Sequence, residues 1–176
     1  MTVELERERT YLAKALPADL KAARHVLVRD IYIPDTANHA RLRLRQKGDT
    51  YEATKKIPVN GSASHQTEHT IPLAQEEFEA LATCSTKALQ KQRYFVQIEG
   101  HSAEVDVYEG ALTGLVVIDF EFADEESFRS FSQPDIALAD VTEDEIVGGG
   151  FLAGRSYEDI ETGLAKYNYQ KLEVQS

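Results

Sequence analysis

The sequence predicts an α+β, mainly β fold: an antiparallel β-barrel or strongly curved sheet with short flanking helices. Three observations predict it. Segments alternating apolar and charged side chains recur along most of the chain, Gly- and Pro-containing turns separate them, and helical spacing is confined to a few short stretches. The charge within the alternating segments is the most telling feature. In Arg41-Leu42-Arg43-Leu44-Arg45, three guanidinium groups share one face and two leucines the other. Lys91-Gln92-Arg93 repeats that parity, and Glu4-Leu5-Glu6-Arg7-Glu8 and Asp119-Phe120-Glu121-Phe122 carry it with opposite sign.

Taken in order, residues 3–12 read as a strand, followed by a short helix near Leu16–Ala23 with Pro17 suited to its first turn. His25–Ile33 is a second strand, ended by the Pro34-Asp35 turn. Arg41–Gln46 and Tyr51–Ile57 form a hairpin pair across Lys47-Gly48-Asp49-Thr50. Asn60–Ser64 reads as a flexible loop and Thr67–Ile71 as the strand beyond it. Leu73–Thr83 has Phe78, Leu81 and Ala82 at helical spacing, with Pro72 as a start signal. Strands follow at Ala88–Ile98, Ala103–Tyr108 and Gly114–Phe122, then a short amphipathic helix at Asp124–Phe131. Gly148-Gly149-Gly150 reads as a hinge or loop, and Ser156–Asn168 as a C-terminal helix. The chain is expected to be one domain over residues 1–176, with 146–176 as a helical tail.

Composition narrows the function. A net charge of -11 argues against a general binder of nucleic acid or anionic membranes. It also makes Arg and Lys at strand parity harder to explain by solubility. Cys84 is the single cysteine, which excludes an intramolecular disulfide and leaves no thiolate metal site. The five histidines are scattered without zinc spacing and read as surface residues. No apolar run approaches a membrane span, and the charged N-terminus does not read as a signal peptide, so a soluble, cytoplasmic protein is expected. Gly148–Gly150 is no P-loop, since no Lys-Ser/Thr follows.

A sheet whose polar face carries both cations and carboxylates suits a polyanion bound with divalent metal. That face lies either inside a barrel or in bulk water, and periodicity alone is compatible with both. The order of the charged blocks adds a resemblance. Glu6-Arg7-Glu8-Arg9-Thr10 is similar to the N-terminal ExExK signature of the CYTH superfamily, the triphosphate tunnel metalloenzymes. Leu42–Gln46, Tyr51–Lys56, Glu68, Lys91–Tyr94, Glu104–Gly110, Leu115–Phe122 and Val141–Asp144 follow in the family's order over roughly residues 3–145.

The resemblance implies an eight-stranded antiparallel barrel, open as a tunnel, that hydrolyses a phosphoanhydride bond of inorganic triphosphate or a small organic triphosphate with Mg2+ or Mn2+. It implies Glu6, Glu8, Glu121 and Asp119 as metal ligands. Arg41, Arg43, Arg45, Lys56, Lys91 and Arg93 become phosphate ligands, with Lys56 and Lys91 also catalytic, and Glu68 and Asp106 acidic tunnel residues. The chemistry of these residue types agrees. Hard cations take carboxylate and phosphate oxygens, Arg grips phosphate through two donors, and Lys acts as a movable point charge. Two positions depart from the pattern: Thr10 stands where the signature has Lys, and Glu145-Ile146-Val147 leads into three glycines where the family has a Tyr- and Asn-containing stretch. A class IV-type adenylate cyclase and a non-catalytic polyphosphate- or nucleotide-binding module remain alternatives, as do monomer and homodimer.

Overall fold

Strand after strand pairs antiparallel until the sheet meets its own first edge. The computed structural model describes residues 2–173. Its strands are β1 (Thr2–Ala13), β2 (Arg24–Ile33), β3 (Leu42–Lys47), β4 (Thr50–Val59), β5 (Ser62–Leu73), β6 (Ala88–Ile98), β7 (His101–Tyr108), β8 (Val116–Glu121) and β9 (Ala137–Asp140). Its helices are α1 (Gln75–Ala82), α2 (Glu125–Ser130), α3 (Gly149–Leu152) and α4 (Tyr157–Ala165). The order β5-β4-β3-β2-β6-β7-β8-β1 closes through β1 against β5 into an eight-stranded barrel. β9 is an extra strand that pairs the last residues of β1, Tyr11 opposite Asp140. Closure pairs the two edges of the sheet, β1 against β5, so neither is left free along that seam.

Closure also decides which face is inside: the charged one. The outward apolar residues find helices and loops to pack against. Ile31 and Leu44 bury Phe78 of α1, and Tyr11, Val105, Ile118 and Phe120 pack with Phe131 after α2. The Phe120 and Phe131 rings lie 4.7 Å apart. A third cluster stoppers one end of the barrel, where interior residues Leu12, Leu89 and Val117 meet Val141, Leu152, Ile160 and Leu164. The C-terminal segment is therefore part of the core. Tyr169 anchors it, its hydroxyl accepting from Val116 N and donating to Gly114 O. The last residues of the expected tail, 174–176, lie outside the described residues. No helix among the described residues is long and apolar enough to cross a membrane.

Several local expectations are corrected. Leu16–Ala23 forms a single 3-10 turn, Leu20–Ala22, because Asp19 provides no side-chain cap and Leu20 alone is buried. Asn60–Ser64 is no loose loop: Asn60 and Gly61 both take positive φ (51° and 82°), giving a two-residue hairpin turn, and β5 resumes at Ser62. Pro72 sits in β5 opposite Glu52, and α1 starts later, where Glu77 accepts from Ala74 N. The triglycine segment is packed. A Cβ on Gly149 would lie 2.0 Å from the Tyr32 hydroxyl, and one on Gly150 2.1 Å from Ala40 O, so the missing side chains permit contact. Helical cover is also incomplete: Val3, Leu5, Ile57 and Ile71 remain exposed on the outer face of β1, β4 and β5.

Candidate active site

The barrel interior above the stopper encloses a cavity of about 530 Å³. β3 contributes Arg43, Arg45 and Lys47, with exposed Arg41 just before the strand, while Leu44 at the opposite parity is buried outside the barrel. β1 contributes Glu6, Glu8 and Thr10; β4, Lys56; β5, Gln66 and Glu68; β6, Lys91 and Arg93; β8, Asp119 and Glu121. Of the residues expected at the site, Asp106 alone is absent from the cavity lining. It is fully enclosed beneath two cations, taking Arg93 Nε and Nη2 at 2.7 Å each and bonding Lys91 Nζ.

Two environments divide the cavity. On the β1–β4–β5 side, Lys56 Nζ stands among carboxylates, 2.5 Å from Glu6 Oε2, 3.2 Å from Glu8 Oε2 and 3.8 Å from Glu68 Oε2. The contact with Glu6 is the closest of the three, and Lys56 is the charge partner of that buried oxygen. Gln66 Nε2 donates to Glu8 Oε1 at 2.9 Å. Burial pushes Glu6 up to about 7, with Lys56 opposing and Glu68 and Glu8 adding to the rise. Lys56 is moved above the usual lysine range, since Glu8 and Glu6 outweigh its burial.

On the β6–β7–β8 side, Asp119 is pushed up to about 7 by burial and by Asp106 and Glu8, against Arg93 and Lys91. Thr10 Oγ1 donates to Asp119 Oδ1 at 2.8 Å, so the hydroxyl occupying the signature's Lys position touches a carboxylate. Burial and neighbouring Glu104 raise Glu121 as well. Burial lowers Lys91 despite Asp106. Arg43 differs from these engaged groups: its Nε is buried without a hydrogen-bond partner among the described residues, and Nη2 is 3.8 Å from Glu68.

Sequence reading did not anticipate Asp30, Tyr32, Glu104, Tyr108 and Gln66 at the barrel interior. Their strand parity was available, but no charge pattern singled them out. It also placed His39 at the surface, whereas His39 lines the cavity, with Nδ1 3.5 Å from Glu145 Oε1.

The lining holds seven Lys and Arg and ten Asp and Glu side chains, a formal balance of -3. A triphosphate of about four to five negative charges is repelled by such a cavity unless further cations enter with it. The donors are hard oxygens, crowded enough to raise one another's pKa, so they fit a divalent cation. Among the described residues no three carboxylate or imidazole groups converge in ligating geometry by themselves. An ion here would share one or two carboxylates with water and substrate phosphate, the usual arrangement for Mg2+.

Comparison with known proteins agrees with this architecture. The chain is 32% identical over 143 residues to the inorganic triphosphatase of Nitrosomonas europaea, covering 80% of this chain and 91% of that one. It is 31% identical over 122 residues to the inorganic triphosphatase of Acetivibrio thermocellus, covering 69% and 76%. A crystal structure of an inorganic triphosphatase superposes with a TM-score of 0.61 at 28% identity, over 84% of this chain and 93% of that one. No family model matches the chain. With that identity over most of its length and the same closed, charged barrel, the chain belongs to the CYTH superfamily of triphosphate tunnel enzymes, in its inorganic-triphosphatase-like branch.

Proposed function

We propose that the protein hydrolyses a terminal phosphoanhydride bond of inorganic triphosphate, with Mg2+ or Mn2+ as cofactor. One observation carries the reading. The inward row Arg41, Arg43, Arg45 and Lys47 runs along one wall, and Arg43 keeps a buried, unpartnered Nε there, a donor in want of an anion. The aromatic lining residues, Tyr32 and Tyr108, are both buried, which offers little face for a base to stack upon and favours the inorganic substrate.

In this reading Arg43, Arg45 and Arg41 grip phosphate oxygens from β3, and Lys91 and Arg93 face them from β6. Glu6, Glu8, Glu121 and Asp119 would hold the metal, which supplies charge neutralisation and orientation when bound. Lys56, fixed by Glu6, Glu8 and Glu68, orients the attacking water. Water adds to the terminal phosphorus, the bond to the bridging oxygen breaks, and the water's proton passes to a carboxylate or to solvent. Lys91 and Arg93 take up charge on the departing pyrophosphate. Thr10 supplies one hydrogen bond where the signature supplies a charge.

Purified protein with inorganic triphosphate, ATP or thiamine triphosphate, each with Mg2+, Mn2+ or EDTA, tests the proposal. Metal-dependent orthophosphate release, strongest with inorganic triphosphate, is expected. Cyclic AMP from ATP would shift the reading to a cyclase, and tight binding without turnover to a binding module.

A further inference from the structure

Asp30 faces the barrel interior from β2, is 1% exposed, and has no task in the reaction outlined above. Its two oxygens accept from Arg45 Nε and Nη2, each at 2.7 Å. Two strands further round the barrel, Asp106 of β7 holds Arg93 of β6 by the same pair of nitrogens at the same distances. The two pairs differ in what remains. Arg93 Nη1 is taken by Glu104, whereas Arg45 Nη1 has no hydrogen-bond or ion partner among the described residues.

We propose that Asp30 is a positioning residue for triphosphate binding, which clamps Arg45 side-on and so presents Nη1 as a fixed donor to a phosphate oxygen. Five N–H groups radiate from a guanidinium, and the side-on clamp uses only Nε and one hydrogen of Nη2. It fixes the plane of the fork during folding, so that little side-chain freedom remains to be lost when substrate arrives. It also offsets Arg45's charge. Arg45 then acts by direction more than by net attraction, leaving the latter to unclamped Arg43 and Lys47. Rigid Arg45 beside adaptable Arg43 on one strand gives the cavity a fixed reference point along the phosphate chain. The inference rests on the triphosphatase reading.

The test compares Asp30→Asn, Arg45→Lys and the double variant for folding, kcat and KM with Mg2+ and inorganic triphosphate. Asp30→Asn is expected to lower kcat/KM by about thirtyfold, chiefly through KM, and Arg45→Lys by a similar factor. The double variant should be no more than about twofold worse than the poorer single one, because Asp30 acts through Arg45. Additive losses, or a folded Asp30→Asn with wild-type kcat/KM, overturn the role. Should Asp30→Asn fail to fold, Arg45→Lys carries the test alone. It keeps a charge for Asp30 but surrenders Nη1, so wild-type kcat/KM in that folded variant overturns the role too. A wild-type protein that hydrolyses no triphosphate defeats the underlying activity, and with it this assignment; an active wild type with unaffected variants defeats only Asp30.

Discussion

Thr10 and Glu6 lie on one strand and face one cavity, yet their neighbours give them opposite needs. Glu6 is held by Lys56, yet burial leaves it titrating near neutrality, at about 7. A carboxylate so placed gains most from a divalent cation. Glu6→Gln is expected to cut metal-dependent orthophosphate release by at least about a hundredfold while leaving thermal stability without metal unchanged or higher. Retained turnover would remove Glu6 from the site. Thr10 presents a hydroxyl to Asp119 where an ammonium would supply charge. Thr10→Lys should therefore tighten triphosphate binding by roughly threefold to tenfold in calorimetry. Equal or weaker binding would show that the cation row already suffices.

At the scale of elements, the stopper carries the most easily broken feature. Gly150 touches a backbone oxygen, which cannot rotate away as the flexible Ile146 side chain beside Gly163 can. Gly150→Ala is expected to cost about 2–3 kcal/mol in urea unfolding, well above a surface substitution. The barrel strands were legible because charge at alternate positions marks a face: Arg43 and Arg45 announced β3, and Glu6 and Glu8 announced β1. What was not legible depends on partners remote in sequence. Asp30 lies in a strand of mixed pattern and meets Arg45 only through the β2–β3 register. Asp106 reads like any tunnel acid until Lys91 and Arg93 are seen to cover it. The triglycine looked flexible because its steric reason, Tyr32 and Ala40, is more than a hundred residues away. β9 is four residues with two alanines, too short and too weak in β-propensity to stand out, and it exists because β1 outruns β5.

For the molecule as a whole, the buried carboxylates pull stability in two directions with pH. Asp30 and Asp106 are fully buried, but Arg45, Arg93 and Lys91 outweigh burial and hold them well below the usual aspartate range. Their contribution is complete above the unfolded-state pKa of about 4 and is lost as pH falls further towards the folded values. Glu6 and Asp119 are raised to about 7, so the unfolded chain releases those protons first and the folded state is penalised increasingly as pH rises from about 4 to 7. A divalent ion held by these carboxylates, as proposed, would relieve that penalty. Added Mg2+ or Mn2+ should raise Tm more at pH 8 than at pH 5.5 in a scanning measurement, and an equal rise at both would disconnect these carboxylates from the ion.

The acidic balance of the cavity lining has a stoichiometric consequence. Uncomplexed triphosphate is a poor guest for a net-negative enclosure and a good chelator outside it. At fixed total Mg2+, velocity should climb with triphosphate only until the two are roughly equimolar, then decline as excess ligand strips the ion away, and restoring Mg2+ should restore the rate.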